Sequence, residues 1–349
     1  MSALLERSAG AAVVSSARRA SVRRVRTVTA ALAGAVVVLF AVSILLGTYT
    51  VTIPDFFRIL GGEQIPGATY IVMESKLPRA VIGTMVGAAL GMAGSVFQTM
   101  LRNPLASPDI IGISYGASAS AVVGIVVFGA TGTTVSLAAL VGALVVALAI
   151  YLLSRRGGAA GYRLILVGIG FAAVMQAVVM FLMTRTDIRT ASQALVWLNG
   201  SLNSASWDRA GALAIGMLIL LPATAVLARQ LRGLELGDDT AAGLGLHVEA
   251  SRLGLLVTGV ALAAVATAAA GPVSFIAFLS GPIARRLLGG RQSLAASALV
   301  GSVIVLAADF AGSNLVPGVS LPVGVVTGAL GAPFLLWLLV TSNRVGRGG

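Results

Sequence analysis

The stretch LPRAVIGTMVGAALGMAGSVFQTMLRNPLASPDIIGISYGA at residues 77–117 decides the fold class. It begins as an apolar run long enough to form a membrane-spanning helix, which needs about 20 residues. The run stops at Asn103-Pro104, and a second apolar run starts after Pro108. A polar break is tolerated at membrane depth only where it is buried in protein or lines a water-filled path. The stretch therefore indicates a membrane protein, and the break is either a plain structural elbow or part of a gate.

Composition supports an all-α integral membrane protein. The chain has 349 residues, of which 57% are hydrophobic and 10% charged, whereas soluble domains contain about 25% charged residues. It has no cysteine, which excludes disulfides, thiolate metal sites and cysteine nucleophiles. The net charge of +12 is explained by basic residues that flank membrane spans on the cytoplasmic side, so we expect lipid rather than nucleic acid as the partner.

Hydropathy predicts about ten membrane-spanning helices within one transmembrane domain at 28–341. A disordered basic cytoplasmic tail is predicted at 1–27 and a short cytoplasmic tail at 342–349. We expect the first apolar run to be retained, because it is longer than the 7–15 residues usual in a signal peptide. The ten predicted spans are 28–48, 79–101, 109–128, 135–153, 163–184, 210–228, 253–270, 273–288, 294–311 and 322–341.

The distribution of basic residues tests this count. With the N-terminal tail inside and ten spans, eighteen of the 24 basic residues lie on the cytoplasmic side and six lie outside. This excess agrees with the tendency of cytoplasmic loops to carry Lys and Arg. The pattern predicts that both termini are cytoplasmic.

Three loops contain predicted short helices. One lies outside the membrane around Pro54–Leu60, and an amphipathic one lies within 185–209. The third lies in the longest cytoplasmic loop, 229–252. There Gly237-Asp238-Asp239 predicts a helix start with an aspartate as N-cap, and Gly243 and Gly245 predict its end. Such a small acidic helix in a cytoplasmic loop is typical of a docking element.

Few residues are candidates for catalysis, ion coupling or ligand binding. Asp109 and Asp309 lie near span ends, and the single histidine, His247, lies in the cytoplasmic loop. The absence of midplane acids argues against an ion-coupled carrier, which usually keeps ionisable groups there. No phosphate-binding loop precedes the only lysine, Lys76. We predict no catalytic residue, no metal site and no directly bound cofactor, and any ATP and Mg²⁺ would be bound by a separate ATPase.

The break itself contains polar side chains suited to its geometry. Ser107 is predicted to cap the following helix and Pro108 to occupy its first position. Asn103 and Asp109 are predicted to hydrogen-bond backbone groups that the break leaves free. These roles fit both the structural elbow and the gate.

The chain resembles the FecCD-type permeases, the membrane subunits of bacterial importers for iron–siderophores, haem and vitamin B12. The resemblance begins with the stretch 77–117 and continues, in order, through VWLNGSL (196–202), LELGDDTAAGLGLHV (234–248), GPVSFIAFLSGPIARRLLG (271–289) and LPVGVVTGALGAPFLLWLL (321–339). It implies the type II ABC importer permease architecture, with ten helices per subunit and a pathway between two subunits.

The resemblance also assigns roles to individual positions. By this resemblance, the residues that couple the permease to the ATPase are Leu236, Gly237, Asp238, Asp239, Ala241, Ala242, Leu244 and Gly245. The cytoplasmic gate falls to Asn103, Leu105, Gly161 and Tyr162. The pathway lining falls to Met175, Gln176 and Met180. Docking of the binding protein falls to Lys76 and Arg79, for which ordinary anchoring at the membrane interface is the alternative.

The implied function is the permease subunit of an ATP-driven importer for ferric siderophores in a bacterial cell membrane. Its implied partners are a second permease, two cytoplasmic ATPase subunits and an external binding protein. Where many members have Pro-His, this chain has Ser280-Gly281-Pro282, and an expected arginine is absent from 311–320. These departures favour a heterodimer over a homodimer. A permease for vitamin B12 or haem and an ion-coupled secondary transporter remain the alternatives.

Overall fold

The computed structural model describes residues 2–154, 160–315 and 318–345, and within them all regular structure is helical. A π-helical turn, Ile71–Lys76, joins α3 to α4 without a break. The helices are α1 Ser2–Leu45, α2 Ile53–Leu60, α3 Ala68–Tyr70, α4 Leu77–Met100, α5 Ile113–Phe128, α6 Thr133–Ser154, α7 Ala160–Arg185, α8 Ile188–Leu198, α9 Trp207–Leu234, α10 Asp238–Gly243, α11 Val248–Ala270, α12 Ile276–Leu287, α13 Leu294–Asn314 and α14 Val323–Val345.

Each of the ten predicted spans coincides with one helix. Seven described segments are long and apolar enough to cross a membrane, and α5 and the apolar part of α14 are shorter. The remaining helix, α12, coincides with the predicted span 273–288, has 12 residues and carries Arg285 and Arg286 in its last turn. An apolar helix shorter than about 17 residues does not cross the hydrocarbon layer unaided. The chain is therefore an all-helical membrane protein whose shorter helices need support from their neighbours.

The predicted N-terminal tail differs from the structure, whereas the C-terminal tail predicted at 342–349 stays a prediction. Residues 2–27, predicted to be disordered, continue into the first span as one helix, α1. The segment contains no proline and is rich in Ala and Arg, which favour helix. At the other end, α14 extends to Val345, and 346–349 lie outside the described residues. The two short helices predicted outside the membrane are confirmed as α2 and α8.

The helix α4 lies at the centre of the protein. It packs against α9, α11, α12 and α13, and 78% of its apolar stretch is buried. Glycines let α4 approach α13 closely: a Cβ at Gly87 would overlap the backbone of Gly301, and one at Gly301 would overlap the carbonyl of Gly87. A Cβ at Gly91 would likewise overlap the carbonyl of Ser297. Small residues at these positions let the backbones of α4 and α13 touch.

A second group of helices, α5, α6 and α7, packs beside the first. The helix α11 contacts both groups, since it touches α4, α9, α5 and α6. The apolar stretch of α7 is only 11% buried, so most of its surface faces away from the rest of the chain. That surface is available to lipid or to another subunit.

Three backbone segments meet at one end of the bundle, which we call the glycine junction (Gly200, Gly271 and Gly324). A Cβ at any of the three would overlap a carbonyl of a neighbouring segment. Two hydrogen bonds join the segments, from Ser201 N to Ala270 O at 2.8 Å and from Gly324 N to Gly200 O at 3.1 Å. The segment after α8, the end of α11 and the start of α14 are thus held together directly through their backbones.

Candidate functional site

The break predicted between two apolar runs is present as the elbow, residues 101–112, between α4 and α5. Asn103 bonds to backbone as predicted, since its Oδ1 accepts a hydrogen bond from Leu105 N at 2.9 Å. Asn103 and Leu105 are both half-buried. The elbow is therefore a folded turn that closes its own hydrogen bonds.

The prediction that Ser107 caps the following helix is wrong. Its hydroxyl accepts from Ile110 N at 3.3 Å, but α5 begins only at Ile113, after Gly112 with φ of +89°. An additional turn lies between the two, because Gly112 adopts a left-handed conformation that reverses the chain there. Asp109 accepts a hydrogen bond from the Ser114 hydroxyl and so bonds a side chain of α5 where backbone was predicted.

The helix α10, predicted as the coupling helix, starts at Asp238. The prediction of an aspartate N-cap is wrong: the N-cap is Gly237, with φ of +107°. The carboxylate of Asp238 instead accepts hydrogen bonds from Arg102 at 2.6 Å and from Arg252 at 2.8 and 2.9 Å. The Asp238 carboxylate is thus bound to two arginines and does not cap the helix. The helix ends at Gly243 as predicted.

The predicted coupling residues divide into an anchored and an exposed set. Ala241 is fully buried and holds α10 against the core. Leu236 and Leu244 are 61% and 65% exposed, and Asp239, Ala242 and Gly245 are exposed as well. This set leaves two leucines and an acidic residue open to a partner. Within the described residues, no group of three or more His, Cys, Asp or Glu is suited to hold a metal ion.

The elbow contacts α7 through backbone. A Cβ at Gly168 would overlap the carbonyl of Ile111, and a Cβ at Gly112 would lie 2.7 Å from the Gly168 carbonyl. This contact was not predicted, because its only sign in the sequence is Gly168, one glycine within an apolar helix. Gly161 and Tyr162, predicted to belong to the gate, lie in the first turn of α7, and their side chains lie outside the described residues.

The three predicted pathway residues on α7 do not share one face. Met175 is half-buried and packs against the core. Gln176 is exposed, and Met180, one turn further, is 64% exposed. A glutamine amide finds no hydrogen-bond partner in lipid, so its exposure near the middle of an apolar helix favours a water-filled or protein-covered environment. The structure thus brings only Gln176 and Met180 together.

The two predicted docking residues have partners within the chain. Lys76 Nζ donates to the carbonyls of Ile44 at 2.9 Å, Leu46 at 2.8 Å and Tyr49 at 2.5 Å. Arg79 forms a bidentate pair with Asp309, with both distances at 2.8 Å. The Arg79 and Asp309 side chains are 23% and 8% exposed. The pair therefore links α4 to α13, and docking through these cations stays a prediction.

Removing one partner of this pair is expected to destabilise the protein. Arg79→Ala leaves the Asp309 carboxylate unpaired, and breaking a buried pair in this way costs about 3–5 kcal/mol. The double variant Arg79→Met/Asp309→Leu should regain most of that loss, because two apolar residues fill the same space without a charge. Thermal unfolding of the purified variants measures both effects.

The same double variant separates the structural role of Arg79 from docking. It is expected to fold, yet it lacks the cation. Normal affinity for the external binding protein in this variant would contradict a docking role for Arg79. A double variant no more stable than Arg79→Ala would contradict the ion-pair argument.

Comparisons with known proteins identify similar chains. A family model described as the FecCD transport family matches residues 22–341. The ferric enterobactin transport system permease protein FepG of Escherichia coli (strain K12) is 42% identical over 299 residues, 85% of this chain and 91% of that protein. The permease protein FepD of the same transport system and organism is 34% identical over 312 residues, 88% of this chain and 92% of that protein.

A solved structure has the same fold. It is described as an inward-facing conformation of a metal-chelate type ABC transporter. The TM-score is 0.80 at 23% identity, and the match covers 90% of this chain and 99% of that one.

Proposed function

The chain belongs to the FecCD transport family, and from that premise we propose that it is the permease subunit of an ATP-driven importer for ferric siderophores. The observation that carries the proposal is the match to FepG, which extends over 85% of this chain and 91% of that protein. FepG is a permease of a ferric enterobactin system, and enterobactin is a siderophore. A match over this length includes the elbow, α7 and α10 together.

The energy for import is proposed to come from partner ATPase subunits. The sequence contains no phosphate-binding loop, so the chain has no such site of its own. The helix α10 offers exposed leucines, Leu236 and Leu244, beside the exposed carboxylate of Asp239. We propose this surface as the ATPase docking site, with ATP and Mg²⁺ bound by the partner.

A second permease is proposed to complete the pathway. The exposed surface of α7, with Gln176 and Met180, would then face the partner permease across a passage lined by both. FepG and FepD are two different permeases of one transport system, which supports a heterodimer here. The gate at the inner end would include Asn103 and Leu105, with Gly161 and Tyr162 nearby in the chain of α7.

The proposal places the protein in the bacterial inner membrane, with the outer loops facing an external binding protein. Seven long apolar helices support the multi-pass location. The excess of basic residues in the predicted inner loops supports cytoplasmic termini.

Reconstitution tests this function. The chain is co-expressed with its partner permease and ATPase subunits and placed in vesicles with the binding protein outside. Ferric enterobactin is the probe, and cobalamin is the comparator. We expect uptake of radioactive iron that requires ATP and the binding protein, and that falls to background in the double variant Asp238→Ala/Asp239→Ala.

Two outcomes would overturn the proposal. Uptake by the chain alone, driven by a proton or sodium gradient, would assign it to secondary transporters. Uptake of cobalamin with exclusion of ferric enterobactin would assign it a different substrate.

A further inference from the structure

Asp238 connects three segments that are distant in sequence. Its carboxylate accepts hydrogen bonds from Arg102 of the elbow and from Arg252 of α11. The Arg102 guanidinium also donates to the carbonyl of Leu234, the last residue of α9, from Nε at 3.2 Å and from Nη2 at 3.0 Å. One arginine therefore joins the elbow to both the start of α10 and the end of the helix before it.

This ion pair is partly exposed. The Arg102 and Asp238 side chains are 46% and 41% exposed. Exposed ion pairs contribute little to folding stability, so the contact is poorly explained as a brace that keeps the protein folded. An exposed pair of this kind is able to break and re-form if α10 is displaced.

The elbow transfers a displacement to α7 because no side chains separate their backbones. The Ile111 carbonyl lies against Gly168, and a Cβ at Gly112 would lie 2.7 Å from Gly168 O and 3.4 Å from Ala172 N. Such a direct backbone contact cannot be compressed, since packed interiors are dense. Internal hydrogen bonds of the elbow, such as Ala106 N to Asn103 O at 3.0 Å, let the segment move as a unit.

Arg102 is also the residue at which the chain leaves α4. Its φ is +49°, a left-handed conformation that residues other than glycine rarely adopt. This conformation is a common way for a helix to end, and it is held by backbone hydrogen bonds from Arg102 N to Thr99 O at 3.2 Å and from Asn103 N to Gln98 O at 3.0 Å. The side-chain bonds of Arg102 to Leu234 and Asp238 then tie the elbow that follows to the end of α9 and the start of α10.

We propose that Arg102 is a positioning residue that transmits the displacement of α10 to the elbow and through it to α7. The inference rests on the proposed function, because it needs an ATPase that moves α10. It goes beyond that function by assigning the connection to one side chain and one sequence of contacts: α10, Arg102, elbow, Gly168.

The test compares two arginines with the same substitution in the assembled importer. Arg102→Gln removes the charge from the connection. Arg285→Gln is the matched control, since Arg285 is 44% exposed, donates to Gln292 and pairs at 4.0 Å with Glu235, which lies outside both α10 and the elbow. For Arg102→Gln we expect normal assembly and basal ATP hydrolysis, while iron imported per ATP falls about tenfold, within the roughly 5–150-fold range typical of coupling between sites. Arg102→Lys should restore part of the loss, and Arg285→Gln should behave as wild type.

A second measurement follows the elbow directly. The chain has no native cysteine, so spin labels can be attached at Ile110→Cys on the elbow and Val141→Cys on α6, which are 41% and 57% exposed. Trapping with ATP and vanadate should change the distance between labels in the otherwise wild-type complex. The change should be absent with Arg102→Gln and present with Arg285→Gln.

The outcomes distinguish the two proposals. Absence of ATP-dependent import by the wild-type complex contradicts the proposed function itself. Import that proceeds, together with elbow movement that survives Arg102→Gln, contradicts this inference alone. Failure of the Arg102→Gln complex to assemble also contradicts it, because the arginine would then serve a structural role.

Discussion

Replacing Gly87 with leucine is expected to prevent the protein from accumulating in a folded form. A Cβ alone at this position would overlap the backbone of Gly301 on α13, and backbone cannot rotate away as a side chain can. The central helix α4 would have to separate from α13 along its length. Overpacking commonly costs 1–3 kcal/mol, and with no adjustable neighbour we expect at least about 3 kcal/mol here.

The amount of monodisperse protein after detergent extraction measures this effect, and the thermal unfolding midpoint grades it for the milder Gly87→Ala. Gly211→Leu is the control, because a Cβ added to Gly211 of α9 would meet no neighbouring atom within 4 Å among the described residues. Equal yields of Gly87→Leu and Gly211→Leu would show that α4 and α13 do not pack through these glycines.

Attaching a bulky group to α7 at position 176 is expected to bring import close to background. Gln176→Cys gives the cysteine-free chain a single thiol, and a large methanethiosulfonate reagent then fills the space beside it. If Gln176 lines the passage, the reagent blocks movement of a large iron chelate. ATP hydrolysis should continue, because α10 packs against α9 and α11 and not against α7.

The control for this block lies on the same helix. Val174 is 56% exposed, and two residues along a helix correspond to a rotation of about 200°. Labelled Val174→Cys should import iron normally if its side of α7 faces lipid. A block at 174 but not at 176 would place the passage on the opposite flank of α7.

The local features of this fold follow from local sequence. The break at Asn103-Pro104 and Pro108 predicted the elbow, and the patterns around Pro54–Leu60 and within 185–209 predicted the short helices α2 and α8. Both depend on residues a few positions apart, where helix geometry and proline chemistry decide the outcome. The end of α10 at Gly243 was predictable for the same reason.

The contacts between distant segments were not predictable in this way. Arg102 and Asp238 are 136 positions apart, and Arg79 and Asp309 are 230 apart. Nothing in a local pattern states which of many arginines a given carboxylate meets. The N-cap prediction for α10 was wrong for this reason, since Asp238 is bound by Arg102, which comes from another part of the fold.

The glycine junction has a mechanical consequence for the whole bundle. Where Gly200, Gly271 and Gly324 meet, three chain segments are joined backbone to backbone, whereas α10 is tied to its neighbours by partly exposed ion pairs. A rigid end and a yielding end make a lever, and its fulcrum lies at the junction. Any tilting of these helices would then have small amplitude at the glycine junction and large amplitude at α10.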